Sequence, residues 1–200
     1  MKTLKNICVN CGSNPGFDPR YLAAARRLGR LLGARGISLV YGGANVGLMG
    51  AVADEVLKAG APVIGVIPKA FAHRVAHRGL SRLYVVCDMH ARKKMMFDFS
   101  DAFIGLPGGY GTLDEVFEIM TWAQLGFHRK PCGLLNVGGY YDHLLAFLDH
   151  ATGHGFVKPA HRALLLEART PSALLKKLAA YEPATVEKWI RKNQITKGAS

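Results

Sequence analysis

Residues 101–118, DAFIGLPGGYGTLDEVFE, pass from an apolar run through a glycine-rich turn into a helical pattern. Ala102 to Leu106 suits a buried parallel strand, and Leu113, Val116, Phe117 and Met120 recur at helical spacing directly afterwards. Between them lies Pro107-Gly108-Gly109-Tyr110-Gly111-Thr112. Glycines there permit positive φ and close approach of a ligand to the backbone, and the unpaired N–H groups that open a helix favour an anion. The stretch reads as a phosphate cradle. A purely structural reading stands beside it: a sheet protein needs such turns, and Thr112 with Glu115 also fits a Thr-x-x-Glu capping box.

The rest of the chain repeats the same grammar. Leu4 to Asn10 is a first strand, followed by the turn CGSNPGFDP and a helix from Arg20 to Ala34 with Leu22, Ala25, Leu28, Leu31 and Leu32 on its apolar face. Ile37 to Tyr41 is a second strand, running into Gly42-Gly43-Ala44-Asn45-Val46-Gly47 and a helix from Leu48 to Ala59. Pro62 to Ile67 is a third strand. The segment after it, PKAFAHRVAHRGLSR, has neither helical nor alternating pattern and is expected to be an irregular, basic active-site loop. Leu83 to Cys87 forms a strand, Asp88 an N-cap, and Met89 to Ser100 a helix carrying Arg92 and Lys93. The helix of the 101–118 unit runs to Leu125. Cys132 to Asn136 is a strand, Tyr141 to Thr152 a helix, Ala163 to Glu167 a short strand and Pro171 to Tyr181 an amphipathic helix.

This alternation calls for an α/β fold, a doubly wound parallel sheet with helices on both faces, over one domain spanning 1–182. Residues 183–200 are expected to be a weakly ordered basic tail. Right-handed crossovers put the βα turns at one edge, so Ser13, Gly42, Gly43, Arg92 and the 107–115 loop meet in one crevice.

Two hundred residues, half of them hydrophobic, can bury a sizeable core, and no run approaches the length of a membrane span, so a cytoplasmic protein is expected. The four cysteines, Cys8, Cys11, Cys87 and Cys132, are expected as free thiols; Cys8 and Cys11 form a C-x-x-C, but no second pair completes a zinc site. A net charge of +12 suits anionic ligands, while the scatter of basic residues without interleaved aromatics disfavours nucleic acid.

No Gly-x-Gly-x-x-Gly opens the first helix and no G-x-x-x-x-G-K-[ST] occurs, which leaves a nucleoside monophosphate as the natural ligand size. A carboxylate at Glu115, kept ionised by the helix N-terminus, can stabilise positive charge at an anomeric carbon and deprotonate or orient water. Arg92 is a poor proton donor and is assigned hydrogen bonding to phosphate or leaving group. His73 and His77 are four apart but lack helical context and a nearby carboxylate, so they are read as loop or surface histidines and no metal site is expected. Met95, Met96, Phe97 and Phe99 are read as core or interface.

LPGGYGTLDE, with MHARK upstream and YGGANVGLMG earlier, resembles the LOG family of cytokinin riboside 5′-monophosphate phosphoribohydrolases over roughly residues 4–180. VAHRGL looks like that family's bacterial branch. The resemblance implies a Rossmann-like fold, a homodimer, and hydrolysis of cytokinin riboside monophosphates or AMP to free base and ribose 5-phosphate, with no cofactor and no metal. It implies Arg92 and Glu115 as the catalytic pair. Met89 and Lys93, the loop residues Gly108, Gly109, Tyr110, Gly111, Thr112, Leu113 and Asp114, and Thr121 would bind the nucleotide together with Ser13, Gly42 and Gly43. The older family label, possible lysine decarboxylase, would call for a pyridoxal phosphate lysine and fits the glycine loop less well. Three positions depart from the pattern: Ala91 for the glutamate of M-H-E-R-K, Ala44 for a glycine, and Arg74 for a glutamate before V-A-H, where a reversed charge bears on base preference. The alternative is a carrier or sensor of a phosphorylated ligand on the same scaffold, resembling the molybdenum-cofactor carriers.

Overall fold

The computed structural model describes residues 3–182; the basic tail lies outside the described residues. Along the first strand, β1 (Asn6–Asn10), Ile7 and Val9 face one layer of core and Cys8 the other. β2 (Ser38–Tyr41) repeats the pattern, with Leu39 and Tyr41 on the first side and Val40 on the second. Strands buried on both faces in this way belong inside a parallel sheet covered by helices.

The chain then supplies β3 (Val63–Pro68), β4 (Arg82–Val86), β5 (Ala102–Gly105), β6 (Cys132–Leu135) and β7 (Leu165–Ala168). All pairings are parallel, and the order across the sheet is β4-β3-β2-β1-β5-β6-β7. The chain moves outward from β1 to β4, then returns to β1's other side at β5. This reversal opens a crevice beyond the carboxyl ends of β1 and β5.

One core layer is covered by α1 (Pro19–Ala34), α2 (Gly47–Lys58) and α8 (Pro171–Ala179). The other is covered by α4 (Met89–Phe99), α5 (Tyr110–Gln124) and α6 (Asp142–Gly153). This is the Rossmann-like, doubly wound arrangement. Asp18 and Asp88 cap α1 and α4, accepting from the Arg20 and Ala91 N–H groups at 2.8 Å each. A short helix, α7 (Pro159–Arg162), precedes β7 and was not legible as a separate element.

The segment expected to be an irregular loop contains a helix, α3 (Lys69–Val75). It has no fully buried residue, and at seven residues it is too short for apolar periodicity to emerge. What fixes it is tertiary. The Asn45 N–H donates to the Val75 carbonyl at 2.8 Å, the His77 N–H donates to the Gly43 carbonyl at 2.9 Å, and Ala44 and Ala76 form an antiparallel bridge. α3 is thereby tied to the turn after β2.

β4 is an outer strand of the sheet, and its Leu83 and Val85 side chains are exposed, Val85 by 54%. On the opposite layer α1 and α2 approach closely because Gly29 and Gly33 carry no side chain. A Cβ at Gly29 would lie 2.6 Å from the Val52 carbonyl oxygen and 2.8 Å from the Glu55 Cβ.

Alanine is intrinsically favoured over glycine in a helix by about 1 kcal/mol. Overpacking typically costs about 1–3 kcal/mol, so Gly29→Ala is expected to lower the free energy of unfolding in urea by up to about 2 kcal/mol. A gain in stability would show that the two helices can separate without cost.

Candidate active site

The crevice at the carboxyl ends of the central strands has a volume of about 630 Å³. Its floor is formed by the end of β1, one wall by the turn after β2 and by α3, and the other by the start of α5.

Arg92 and Glu115 meet at its base. Arg92 occupies the start of α4 and is only 8% exposed. Its Nε donates to the Val66 carbonyl at 3.2 Å, and its Nη1 donates to the Glu115 carboxylate in a short ion pair. A desolvated guanidinium needs such partners, because an unpaired buried charge is costly. Gly42 makes the geometry possible: a Cβ there would overlap the Arg92 guanidinium and come within 2.6 Å of the Met49 methyl.

Thr112 and Glu115 do not form the capping box that their spacing suggests. α5 already begins at Tyr110, with Gly109 in the N-cap position and no side-chain cap. Thr112 therefore lies inside the first turn, and Glu115 turns to Arg92. The first helical bond runs from the Leu113 N–H to the Gly109 carbonyl at 3.1 Å. The N–H groups of Tyr110, Gly111 and Thr112 thus have no acceptor in the helix, and all three residues line the crevice.

None of the three glycines of this turn has positive φ, and packing alone requires one of them, Gly108, to lack a side chain. A Cβ at Gly108 would strike the Thr112 hydroxyl and sit 2.8 Å from the Gly12 nitrogen, whereas Gly109 and Gly111 face open space. The turn is fastened from outside. The Tyr140 hydroxyl donates to the Gly108 carbonyl at 2.7 Å, the Tyr141 hydroxyl to the Leu106 carbonyl at 2.5 Å, and the Gly12 N–H to the Pro107 carbonyl at 3.0 Å. The adjacent tyrosines carry no motif that would single them out.

Of the residues expected at the site, Ser13, Gly42, Met89, Arg92, Gly109, Tyr110, Gly111, Thr112 and Glu115 line the crevice. Gly43, Gly108, Lys93, Leu113, Asp114 and Thr121 are not among its lining. Gly43 adopts φ +76° behind the crevice, packed against Ile67 and Leu83. Lys93 bridges α4 to α5 through Asp114 and Glu118, at 3.1 Å each. Partial burial works against its charge, but the two carboxylates outweigh that and hold its pKa above the usual lysine value. The Thr121 hydroxyl donates back to the Phe117 carbonyl at 2.7 Å.

Sequence reasoning missed Asn10, Met49, Phe71 and Val75 as lining residues. Asn10 could have been noticed as a polar side chain ending an apolar strand; Phe71 and Val75 depended on seeing α3. His77 is also corrected. It is buried, not a loose surface ring, with Nε2 3.0 Å from an Asp54 carboxylate oxygen and Nδ1 2.7 Å from the Arg78 carbonyl. The carboxylate comes from α2, far away in sequence. Among the described residues no group of three His, Cys, Asp or Glu side chains is arranged to hold a metal ion.

Ala44 is buried without strain, since every positive φ among the described residues belongs to a glycine. Ala91 contributes its backbone N–H to the Asp88 cap. Arg74 is exposed on the last turn of α3, next to Val75. No helix among the described residues is long and apolar enough to cross a membrane.

Residues 49–178 match the family described as possible lysine decarboxylase. A cytokinin riboside 5′-monophosphate phosphoribohydrolase of Arabidopsis thaliana is 51% identical over 180 residues, covering 90% of this chain and 83% of its own. A probable enzyme of the same name from Oryza sativa subsp. japonica is 52% identical, covering 90% and 72%. Among solved structures, the molybdenum cofactor binding protein of Rippkaea orientalis superposes with a TM-score of 0.69 at 26% identity, covering 90% of this chain and 98% of its own. A molybdenum cofactor carrier protein of Chlamydomonas reinhardtii superposes with a TM-score of 0.66 at 22% identity, over 89% and 99%, a likeness of fold.

All four cysteines are free, as expected. Burial pushes the Cys8 and Cys11 thiols well up and Cys132 to about 12. Cys87 is exposed, and its hydrogen bond to the Asp88 carboxylate raises it too. Titration of the native protein with an aromatic disulfide at pH 8 is therefore expected to modify Cys87 alone, with the other three reacting only after denaturation. Rapid reaction of Cys11 in the native protein would show that the crevice floor opens.

Proposed function

Because the chain belongs to the LOG family, the phosphoribohydrolases that share the family described as possible lysine decarboxylase, we propose that it hydrolyses the N-glycosidic bond of cytokinin riboside 5′-monophosphates or AMP. The observation that carries this reading is the buried Arg92–Glu115 pair, set at the floor of a crevice whose rim is a helix N-terminus, a place that favours an anion.

In this reading the 5′-phosphate accepts hydrogen bonds from the Tyr110, Gly111 and Thr112 N–H groups and from Ser13. The base lies toward the apolar wall of Phe71, Val75 and Met89. The anomeric carbon comes beside Glu115, whose fixed negative charge stabilises the oxocarbenium-like transition state and whose free oxygen takes a proton from the attacking water. The C1′–N bond breaks as the C1′–O bond forms. The departing base nitrogen takes a proton from solvent and Glu115 returns to solvent the one it took from the water, giving free base and ribose 5-phosphate. Arg92 cannot supply that proton near neutrality; it orients Glu115 and offers a hydrogen bond to phosphate or leaving group. Binding of the nucleotide by Lys93, Asp114, Leu113 and Thr121, which lie off the crevice, is part of the reading that mutagenesis must test. So are the homodimer and the cytoplasmic location that the resemblance implies.

The likeness to molybdenum cofactor binding proteins supports a second reading, a carrier of a phosphorylated ligand. A carrier has no chemical use for a buried arginine–glutamate pair, so the hydrolase is preferred. Lysine decarboxylation is set aside, since no feature of the crevice calls for a pyridoxal phosphate lysine.

Purified protein incubated with AMP or isopentenyladenosine monophosphate is expected to release free base, resolved by chromatography. Glu115→Gln is expected to lower kcat by about 10²–10⁴-fold while nucleotide affinity stays within a few-fold. The faster of the two substrates reads the influence of Arg74. Binding without release of base from either nucleotide would move the assignment to the carrier.

A further inference from the structure

Asn10 ends β1 at the floor of the crevice, with its Cα in register with Gly105 of β5. It is only 2% exposed. Its amide oxygen accepts a weak hydrogen bond from the Cys8 thiol at 3.4 Å. No hydrogen bond from its amide nitrogen is found among the described residues. Among the described residues the Tyr41 hydroxyl is the only fully buried side-chain polar atom without a partner, so the Asn10 amide nitrogen keeps its access to the crevice, and an unpaired donor at the floor of a site suits a ligand.

Glu115 is committed on one side only. Arg92 takes Oε1, leaving Oε2 as an acceptor. Asn10 and Glu115 both line the crevice, and both line a smaller hollow behind it of about 10 Å³. That is room for about one water-sized group. The group between them must accept from an amide N–H, donate to a carboxylate, and fit a single oxygen. A phosphate oxygen cannot donate and is repelled by Glu115, and the edge of a base is too large for the hollow.

We propose that Asn10 and Glu115 together hold a hydroxyl group, the amide donating to it and the carboxylate accepting from it. This rests on the phosphoribohydrolase reading, in which the hydroxyl has two sources: a ribose hydroxyl of the nucleotide, or the attacking water. In the first case Asn10 sets the choice of ribose over deoxyribose. In the second it aims the nucleophile by orienting the water on Glu115.

The test compares wild type, Asn10→Ala and Asn10→Ser on AMP, 2′-deoxyAMP and 3′-deoxyAMP, with binding measured by calorimetry, base release by chromatography and folding by thermal denaturation. A ribose contact predicts that Asn10→Ala weakens AMP by about ten-fold, while the deoxynucleotide lacking the bound hydroxyl is unaffected. A water contact predicts that kcat falls about ten-fold or more for all three, with binding and melting temperature unchanged. Asn10→Ser, which keeps a small donor, should recover part of either loss. The proposal is overturned if Asn10→Ala stays within two-fold of wild type on every nucleotide, or if all losses follow a lowered melting temperature. If wild type releases no base at all, the hydrolase reading fails by itself, and calorimetry still decides: selective weakening of AMP supports the contact, and equal binding of all three nucleotides refutes it.

Discussion

The buried contact between Arg92 and Glu115 sets the terms for everything near it. Two ionised side chains taken out of water are tolerated only when each is closely matched, and removing either leaves a lone buried charge at a cost of about 3–5 kcal/mol. Arg92 meets the demand with Glu115 and the Val66 carbonyl. The guanidinium in turn fixes Gly42 as a residue without a side chain, and it holds the first turns of α4 and α5 together across the switch point of the sheet. A second tie between the same helices, Lys93 with Asp114 and Glu118, is more exposed and screened, so it orients rather than stabilises.

Around that contact the crevice divides its labour by chemistry. Backbone N–H groups at the start of α5 offer a cradle for anions that survives side-chain substitution, because its donors are main chain. Tyr140 and Tyr141 fasten the turn from the far side by its carbonyls, leaving those N–H groups uncommitted. The opposite wall, α3, has few apolar anchors and holds its place through the Ala44–Ala76 bridge. Any shift of α3 is therefore transmitted to the turn that contains Gly42.

The doubly wound sheet was legible because fully apolar strands alternated with amphipathic helices at regular intervals, and this periodicity survives without tertiary information. Arg92, Glu115 and the glycine turn were legible as chemistry. What stayed hidden was anything decided by partners distant in sequence. α3 is held in place by a bridge just past its end, between Ala76 and Ala44 in the turn after β2. His77 is buried because Asp54 comes to it from another element. The Thr-x-x-Glu spacing suggested a capping box, but the helix is capped at Gly109, three residues before Thr112, and a local rule yielded to a tertiary ion pair. Asn10 was visible as a polar residue closing an apolar strand, but its meaning required knowing that Glu115 lines the same hollow.

The outer strand β4 has a consequence for handling the protein. A parallel edge strand with exposed Leu83 and Val85 is a template for unwanted strand pairing, and Arg82 is the only charge along it. Long-range repulsion from a chain of net charge +12 keeps edges of separate molecules apart, and its reach shrinks to about 8 Å in physiological salt. Colloidal behaviour is thus set by ionic strength: dilute buffer guards the edge, and concentrated salt or a polyanion that neutralises the surface invites aggregation.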